Sequence, residues 1–188
     1  MANDKILGLS GSLRSHSYCT AVLKTIQESA LTGVELTIHS LADIPLYNQD
    51  EDGDRSPASI KALREAIRQS DGIIMISPEY NHGMSGVLKN ALDWASRPYG
   101  ASSLAGKPVL TMTTSPAFTG GVRAQTQMNE TLLSIQAWPV PRAQTVIGSI
   151  HEKIRDDRLV DEVTLGFIKN GVVALQGEIV RVRNHVTR

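Results

Sequence analysis

Short apolar runs alternate along the chain with longer stretches in which apolar side chains recur every three or four residues. The short runs have the length of strands, and the longer stretches have the periodicity of helices. The predicted strands are residues 5–10, 34–40, 72–77, 107–114 and 139–148. The predicted helices are residues 17–30, 56–70, 85–96, 122–137 and 158–183. The pattern therefore predicts five consecutive pairs of a strand and a helix.

This order predicts a five-stranded parallel sheet with helices on both faces, because parallel neighbours need crossover connections. The run GIIMIS, residues 72–77, is apolar at nearly every position, as expected of a strand buried on both faces. Sheets of this kind bind ligands beyond the carboxyl ends of their strands. That rule selects three loops, which are residues 10–17, 77–85 and 114–122.

Two of the predicted helices carry local signals. Ser56 is a predicted N-cap, with Pro57 at the first helical position. In the last helix, Gly166, Gly171 and Gly177 weigh against a continuous helix, because glycine is a poor helix former.

Composition excludes several classes of protein. The chain has 188 residues with 41% hydrophobic content, which predicts one domain over residues 1–188. Lys plus Arg and Asp plus Glu are 19 each, so no net charge draws the protein to nucleic acid or to an anionic membrane. A single cysteine forms no internal disulfide. The start MANDKILGL lacks the features of a secretory signal, and no unbroken apolar run approaches bilayer length, so a cytoplasmic protein is expected.

The first selected loop, SGSLRSHS, has the composition of an anion site. Serine hydroxyls, backbone N–H groups and the positive end of the following helix dipole meet there, and Arg14 adds a permanent charge. The loop is neither G-x-G-x-x-G nor G-x-x-x-x-G-K-[ST], so a dinucleotide turn and an ATP P-loop are not supported. The alternative is a simple N-cap at Ser15 or Ser17 with a solvated Arg14. The local chemistry leaves both interpretations open.

The other two loops suit a flat ligand with polar edges. Tyr80 and Asn81 offer ring surface and hydrogen bonds, and Gly120 and Gly121 allow a backbone to approach a ligand closely. The alternative for Tyr80 and Asn81 is a plain turn. The five histidines are too scattered along the chain to indicate a metal site.

Together, four motifs resemble one known family. GSLRSHSYC, PLYNQD, PEYNHGMSGVLKNALDW and TSPAFTGGVRAQ occur in this order at residues 11–19, 45–50, 78–94 and 114–125. The combination resembles the NADPH-dependent FMN reductases, flavodoxin-like enzymes that include quinone, chromate and azo-dye reductases. The resemblance implies noncovalent FMN, NADPH or NADH as co-substrate, a small-molecule electron acceptor, and a dimer or tetramer whose subunits flank the flavin. It is uninformative beyond Ile147.

Carried onto this chain, the resemblance implies three groups of cofactor-binding residues and no catalytic side chain, since the flavin N5 carries the hydride chemistry. The first loop supplies Ser10, Ser12, Leu13, Arg14, Ser17, Tyr18 and Cys19 around the phosphate. The second supplies Pro78, Glu79, Tyr80 and Asn81 along the flavin ring and ribityl chain, and the third supplies Ser115, Gly120 and Gly121. In the PLYNQD loop, Tyr47, Asn48 and Asp50 would reach a neighbouring subunit's flavin, unless they form an Asx-type turn.

Cys19 departs from the pattern, because family members usually have Asn there. A thiol is a weaker donor than a carboxamide, so we expect a modest loss of FMN affinity. A nucleophilic role is the alternative, because a helix N-terminus lowers the pKa of a thiol, but no neighbouring base is evident in the sequence. Two further alternatives for the protein are an electron-transfer flavodoxin, which the zero net charge argues against, and a flavin-free anion-binding protein.

Overall fold

A computed structural model describes residues 3–186, which form a sheet covered by helices on both faces. The strands are β1 (Asp4–Ser10), β2 (Val34–His39), β3 (Gly72–Tyr80), β4 (Gly83–Met84), β5 (Pro108–Thr114), β6 (Trp138–Pro139), β7 (Thr145–Ile147), β8 (Ile154–Arg155) and β9 (Arg158–Leu159). The helices are α1 (Tyr18–Glu28), α2 (Ala58–Gln69), α3 (Gly86–Ala95), α4 (Val122–Ser134), α5 (Ile150–Lys153) and α6 (Glu162–Val186), with two 3₁₀ turns at Gln49–Glu51 and Gly53–Arg55.

The main sheet has the strand order β2-β1-β3-β5-β6, and all of these neighbours are parallel. β7 also pairs with β5 in parallel, and β4 folds back on β3 in antiparallel fashion. If only these five strands are numbered along the chain, the order is 2-1-3-4-5, which is that of flavodoxin-like folds. In such folds, ligands bind at the carboxyl ends of the strands, where the strand order reverses between the first and third strands. The predicted fold class is confirmed.

Alternate residues of each central strand supply two separate cores. In β3, Ile73 and Met75 face the core beneath α2, α3 and α4, whereas Ile74 and Ile76 face the core beneath α1 and α6. Both faces of β3 and β5 are buried, which is why these strands are continuously apolar in sequence.

The fifth strand differs from the prediction. Only Trp138–Pro139 and Thr145–Ile147 pair with β5 as strands. Val140 N–H still donates to the Val109 carbonyl at 2.9 Å, and residues 141–144 leave the sheet. Pro141 has no N–H to donate to a ladder, so the PVPR segment interrupts the strand.

The last helix also differs from the prediction. It begins at Glu162, because Arg158 lies in the hairpin β8–β9, whose turn residues Asp156 and Asp157 both have positive φ. The helix then runs to Val186 without a break at its glycines. Gly171 has a packing reason, since a Cβ there would lie 2.0 Å from the Arg142 guanidinium.

Ser56 does not cap α2 as predicted. Pro57 takes the N-cap position, and Ser56 Oγ accepts a hydrogen bond from the buried Arg64 guanidinium at 3.0 Å. Arg64 also pairs with Asp52 at 2.7 Å and donates to the Trp94 carbonyl, so Ser56 belongs to a buried polar cluster that fixes α2 against α3.

By length and composition, residues 162–185 of α6 pass the test for a membrane-spanning helix, with a mean hydropathy of 1.2. This segment was not expected from the sequence, because polar residues interrupt its apolar positions and no unbroken apolar run is that long. Ile168, Val172, Leu175 and Ile179 of this helix are buried against the sheet, while 39% of the apolar stretch as a whole is buried.

Candidate functional site

The loop between β1 and α1 is held in place by its own hydroxyl groups. Gly11 N–H donates to the Ile76 carbonyl of β3 at 2.8 Å. Ser10 Oγ accepts from Thr20 Oγ1 at 2.9 Å and from Ser12 N–H at 3.3 Å. Ser17 is the N-cap of α1, because its Oγ accepts from Thr20 N–H at 3.2 Å. Ser10 and Ser17 are therefore buried structural supports of the loop.

Between these supports, the loop exposes donors. Among residues 3–186, none accepts a hydrogen bond from the backbone N–H groups of residues 13–17. These groups lie at the N-terminus of α1, where the helix dipole favours negative charge. The Arg14 guanidinium is exposed and lies over the Tyr18 ring at 5.6 Å. The cap at Ser17 therefore leaves these N–H groups available, and the residues present fit a phosphate group.

A cleft of about 110 Å³ lies beside this loop. Residues from all three selected loops line it, which are Ser12, Arg14, Tyr18, Cys19, Pro78, Glu79, Tyr80, Thr114 and Pro116. Thr114 and Pro116 were not singled out from the sequence. Both could have been predicted from the end of the fourth predicted strand, because residues at that point lie at the carboxyl edge of the sheet.

A second cleft, of about 250 Å³, lies on the other side of the same loop, toward the end of β2. Ser10 and Leu13 line this second cleft, and Ser12 and Arg14 line both. Arg14 is thus placed between the two openings. The predicted residues that line neither cleft are Ser17, Asn81, Ser115, Gly120 and Gly121.

Glu79 extends from β3 to the first turn of α4. Its Oε2 accepts hydrogen bonds from the backbone N–H groups of Arg123 and Ala124, both at 3.0 Å. Gly121, at the N-cap position of α4, has no side chain that could do this. The Arg123 guanidinium lies 3.9 Å from Glu79 Oε1. The carboxylate therefore ties the second loop to the third, a role that sequence reasoning missed.

Tyr80 and Asn81 belong to a tight hairpin. Tyr80 pairs with Gly83, and the two turn residues Asn81 and His82 have φ values of 49° and 66°. Positive φ at both central positions is the type I′ geometry, which matches the twist of two-residue hairpins. The turn alternative is therefore what the backbone shows for Asn81, while the hairpin projects the exposed Tyr80 ring at the cleft.

Gly120 of the third loop approaches protein backbone closely, whereas Gly121 approaches the side chains of Thr113 and Glu79. A Cβ on Gly120, whose φ is +64°, would lie 2.9 Å from the backbone nitrogens of Ile147 and Gly148. Ser115 is also engaged with this region, since its N–H donates to the Ile147 carbonyl at 3.1 Å. Ser115 and Gly120 therefore hold the third loop against the end of β7. From the sequence, the backbone at Gly120 was expected to approach a ligand.

Cys19 is buried at the base of the cleft, with its Sγ 3.3 Å from Thr114 Oγ1. Burial raises the pKa of the thiol from its ordinary 9.0 to about 12, and the Thr114 hydrogen bond opposes this only in part. A thiol with this pKa is protonated at neutral pH, so it is not an activated nucleophile.

We expect Cys19 to resist alkylation in the folded protein. Iodoacetamide at pH 8 should label it slowly in buffer and rapidly in urea, as followed by mass spectrometry. Because the unfolded thiol ionises near pH 9 and the folded one near pH 12, stability should also fall as the pH rises through that window. Equal labelling rates in buffer and in urea would show that the thiol is accessible and ionised.

The PLYNQD loop is folded onto its own subunit. The Tyr47 ring packs against Trp94 with centroids 4.9 Å apart, and its backbone N–H donates to Asn90 Oδ1 at 2.8 Å. Asn48 Oδ1 accepts from Asp50 N–H at 3.1 Å, which is the Asx-type turn. Leu46, which is 84% exposed, is the large apolar side chain that this loop exposes, and Asn48 and Asp50 are exposed beside it. Within residues 3–186, no three His, Cys, Asp or Glu side chains are grouped as a metal site.

The chain is similar to known proteins over nearly its whole length. The chain is 36% identical over 185 residues to an NAD(P)H-dependent FMN reductase from Pseudomonas aeruginosa, covering 97% of this chain and 100% of that protein. It is 36% identical over 183 residues to a quinone reductase from Escherichia coli strain K12, covering 95% of this chain and 97% of that protein. A flavoenzyme NAD(P)H:(acceptor) oxidoreductase from Paracoccus denitrificans has a similar structure, with a TM-score of 0.83 at 32% identity over 97% of this chain and 98% of that one.

The family itself follows from the sequence match over the region that builds the cleft. Residues 5–152, which contain all three loops, match the model of one family, described as NADPH-dependent FMN reductase. This chain belongs to the NADPH-dependent FMN reductase family.

Proposed function

We propose that this protein is an FMN-dependent NAD(P)H oxidoreductase that passes hydride from NAD(P)H by way of FMN to quinones or similar small acceptors. The carrying observation is the junction of an anion-binding loop with an open cleft at the switch point of a flavodoxin-like sheet. FMN has an anionic end and a flat ring, and these two parts match the loop and the cleft. The names of the relatives support quinones as acceptors, and NADPH or NADH as the donor.

The side chains around the cleft have binding and positioning roles in this proposal. The free N–H groups of residues 13–17, with Ser12 and Arg14, hold the FMN phosphate. Residues 78–81 and Thr114 lie along the ring system, and Glu79, Gly120 and Gly121 hold the loops that contact it. Bound FMN supplies the redox chemistry, accepting hydride from the nicotinamide and delivering it to the acceptor.

The activity is tested with the purified full chain. We expect a yellow protein with flavin absorbance that oxidises NADPH or NADH only when an acceptor is added. A panel of quinones, free FMN and chromate, run with both nicotinamides, identifies the preferred acceptor. A protein that takes up no FMN would exclude the proposal, and one that binds FMN without oxidising either nicotinamide would favour a flavodoxin-type electron carrier. The zero formal net charge speaks against that carrier, whose partners are met through a charged surface.

We further propose that residues 1–188 act as a single FMN-binding domain in a cytoplasmic dimer or tetramer. Large apolar side chains are exposed around the carboxyl edge of the sheet, including Leu13, Leu46, Tyr80 and Phe118. Exposed apolar patches of this kind mark protein interfaces, and a second subunit there would cover the cleft and shape the acceptor site.

A further inference from the structure

The outer face of α6 carries apolar side chains with no partner among residues 3–186. Opposite the buried face of this helix, Val163, Val173 and Val180 are 83%, 65% and 50% exposed. These valines lie on a helix that packs against one face of the sheet, whereas the cleft lies at the carboxyl ends of the strands. The face is therefore separate from the apolar side chains around the cleft.

The spacing along this face is that of a helix–helix seam. Val163, Gly166, Asn170, Val173, Gly177 and Val180 are separated by three, four, three, four and three residues. Alternating steps of three and four residues define a seam along which two helices pack. None of these positions carries a charge. We call these six residues the α6 seam.

Packing within one subunit does not explain the two glycines of the α6 seam. A Cβ on Gly166 or on Gly177 would meet no atom within 4 Å, unlike one on Gly171. Each lowers the stability of the helix relative to alanine, because glycine is a poor helix former. Small residues on a helix surface let another helix approach closely, which would offset that cost.

We propose that the α6 seam binds the α6 seam of a second copy of this chain in antiparallel orientation. The positions of the seam are symmetric about the point between residues 170 and 173, where Asn170 of one copy faces Val173 of the other. An antiparallel partner with its two-fold axis there places Val163 opposite Val180 of the second copy, and Gly166 opposite Gly177 of the second copy. A two-fold interface requires just such a self-complementary surface, because each half contacts the other half of its copy.

The charges at the ends of the helix fit the same arrangement. Glu162 lies in the first turn, and Arg181 lies near the end of the helix. The antiparallel register brings Glu162 to the level of Arg181 of the second copy, whose guanidinium also lies 3.5 Å from Glu178 of its own helix. Antiparallel helix dipoles also attract one another. A parallel pairing would instead place both acidic residues at one end.

The proposal adds a specific interface to the assembly and does not depend on the activity. If the cleft edge supplies one two-fold contact and the α6 seam a second, the closed assembly is a tetramer made of two dimers. If the proposed cleft contact is absent, the seam alone gives a dimer. In both cases, loss of the seam contact halves the mass of the assembly.

We expect Val173→Glu to halve the mass of the flavin-loaded full-length protein in native mass spectrometry and analytical ultracentrifugation. The substitution places two carboxylates in an apolar contact, while Val173 is exposed in a single subunit and should tolerate the change there. The matched control is Val160→Glu. Val160 is 50% exposed, as Val180 is, but it lies before α6 begins. It should leave the mass unchanged, and bound FMN should stay the same in both variants.

The register is tested by a second substitution in the same chain. Because position 170 of one copy lies opposite position 173 of the other, Asn170→Lys combined with Val173→Glu should restore the full mass by forming two salt bridges across the two-fold axis. Asn170→Lys alone should weaken the assembly. Rescue by the double variant excludes misfolding as the cause of the loss in Val173→Glu.

Two results would overturn the proposal. One is a mass that Val173→Glu leaves unchanged, including a protein that is a monomer throughout. The other is binding of the native protein to phospholipid vesicles that Val173→Glu abolishes without a change in mass, which would make the face a membrane surface. Loss of flavin activity with a normal mass would count against the proposed function only.

Discussion

Gly120→Ala should lower the free energy of unfolding by about 3 kcal/mol or more, and the melting temperature by about 10 °C for a chain of this size. Alanine at a φ of +64° is strained by about 1–2 kcal/mol. In addition, its Cβ would lie 2.9 Å from two backbone nitrogens of the β7 end, and backbone cannot move aside as a flexible side chain can. The loop must therefore leave β7. Thermal denaturation of the flavin-free protein measures the loss without a contribution from FMN.

A matched control separates the two causes. Gly106 has a φ of +70°, but a Cβ there would meet no atom within 4 Å. Gly106→Ala should therefore show the conformational strain alone, a loss of about 1–2 kcal/mol. Equal losses in the two variants would mean that the contact with Ile147 and Gly148 contributes nothing to stability.

The fold could be predicted from sequence because its central strands are buried on both faces. Runs such as GIIMIS are apolar at successive positions because residues 73 and 75 enter one core and residues 74 and 76 enter the other. The three loops at the carboxyl edge follow directly from that assignment, and the edge brings together residues about 100 positions apart, such as Cys19 and Thr114.

The details that escaped prediction depend on contacts between distant segments or on irregular backbone. Glu79 caps α4 across 44 residues, and nothing in PEYN indicates where its carboxylate goes. Gly120 was correctly singled out as a close approach, but the partner is the backbone at residues 147–148. The broken fifth strand and the late start of α6 arise from Pro141 and from the left-handed turn at residues 156–157, which interrupt patterns that periodicity alone extends.

The loop between β1 and α1 gives the second large expected effect, because Arg14 is its one cationic side chain with a permanent charge. Its guanidinium is exposed at the mouth of the loop, near the free N–H groups of residues 13–17. Arg14→Ala should weaken FMN binding by about tenfold to a hundredfold, since a hydrogen bond to a charged group contributes about 1.5–3 kcal/mol. The loss should shrink as salt is raised, because added ions screen an exposed charge.

Riboflavin, which has the same ring and ribityl chain but no phosphate, distinguishes a phosphate contact from a general disturbance of the cleft. Fluorescence titration should show that Arg14→Ala lowers the affinity for FMN and leaves that for riboflavin unchanged. Arg14→Lys should fall between the two, because lysine keeps the charge but not the planar pair of donors. Arg68→Ala, an exposed arginine at the end of α2, is the control that should change neither affinity. Equal losses for both ligands would place Arg14 against the ring, and unchanged FMN affinity would remove it from the site.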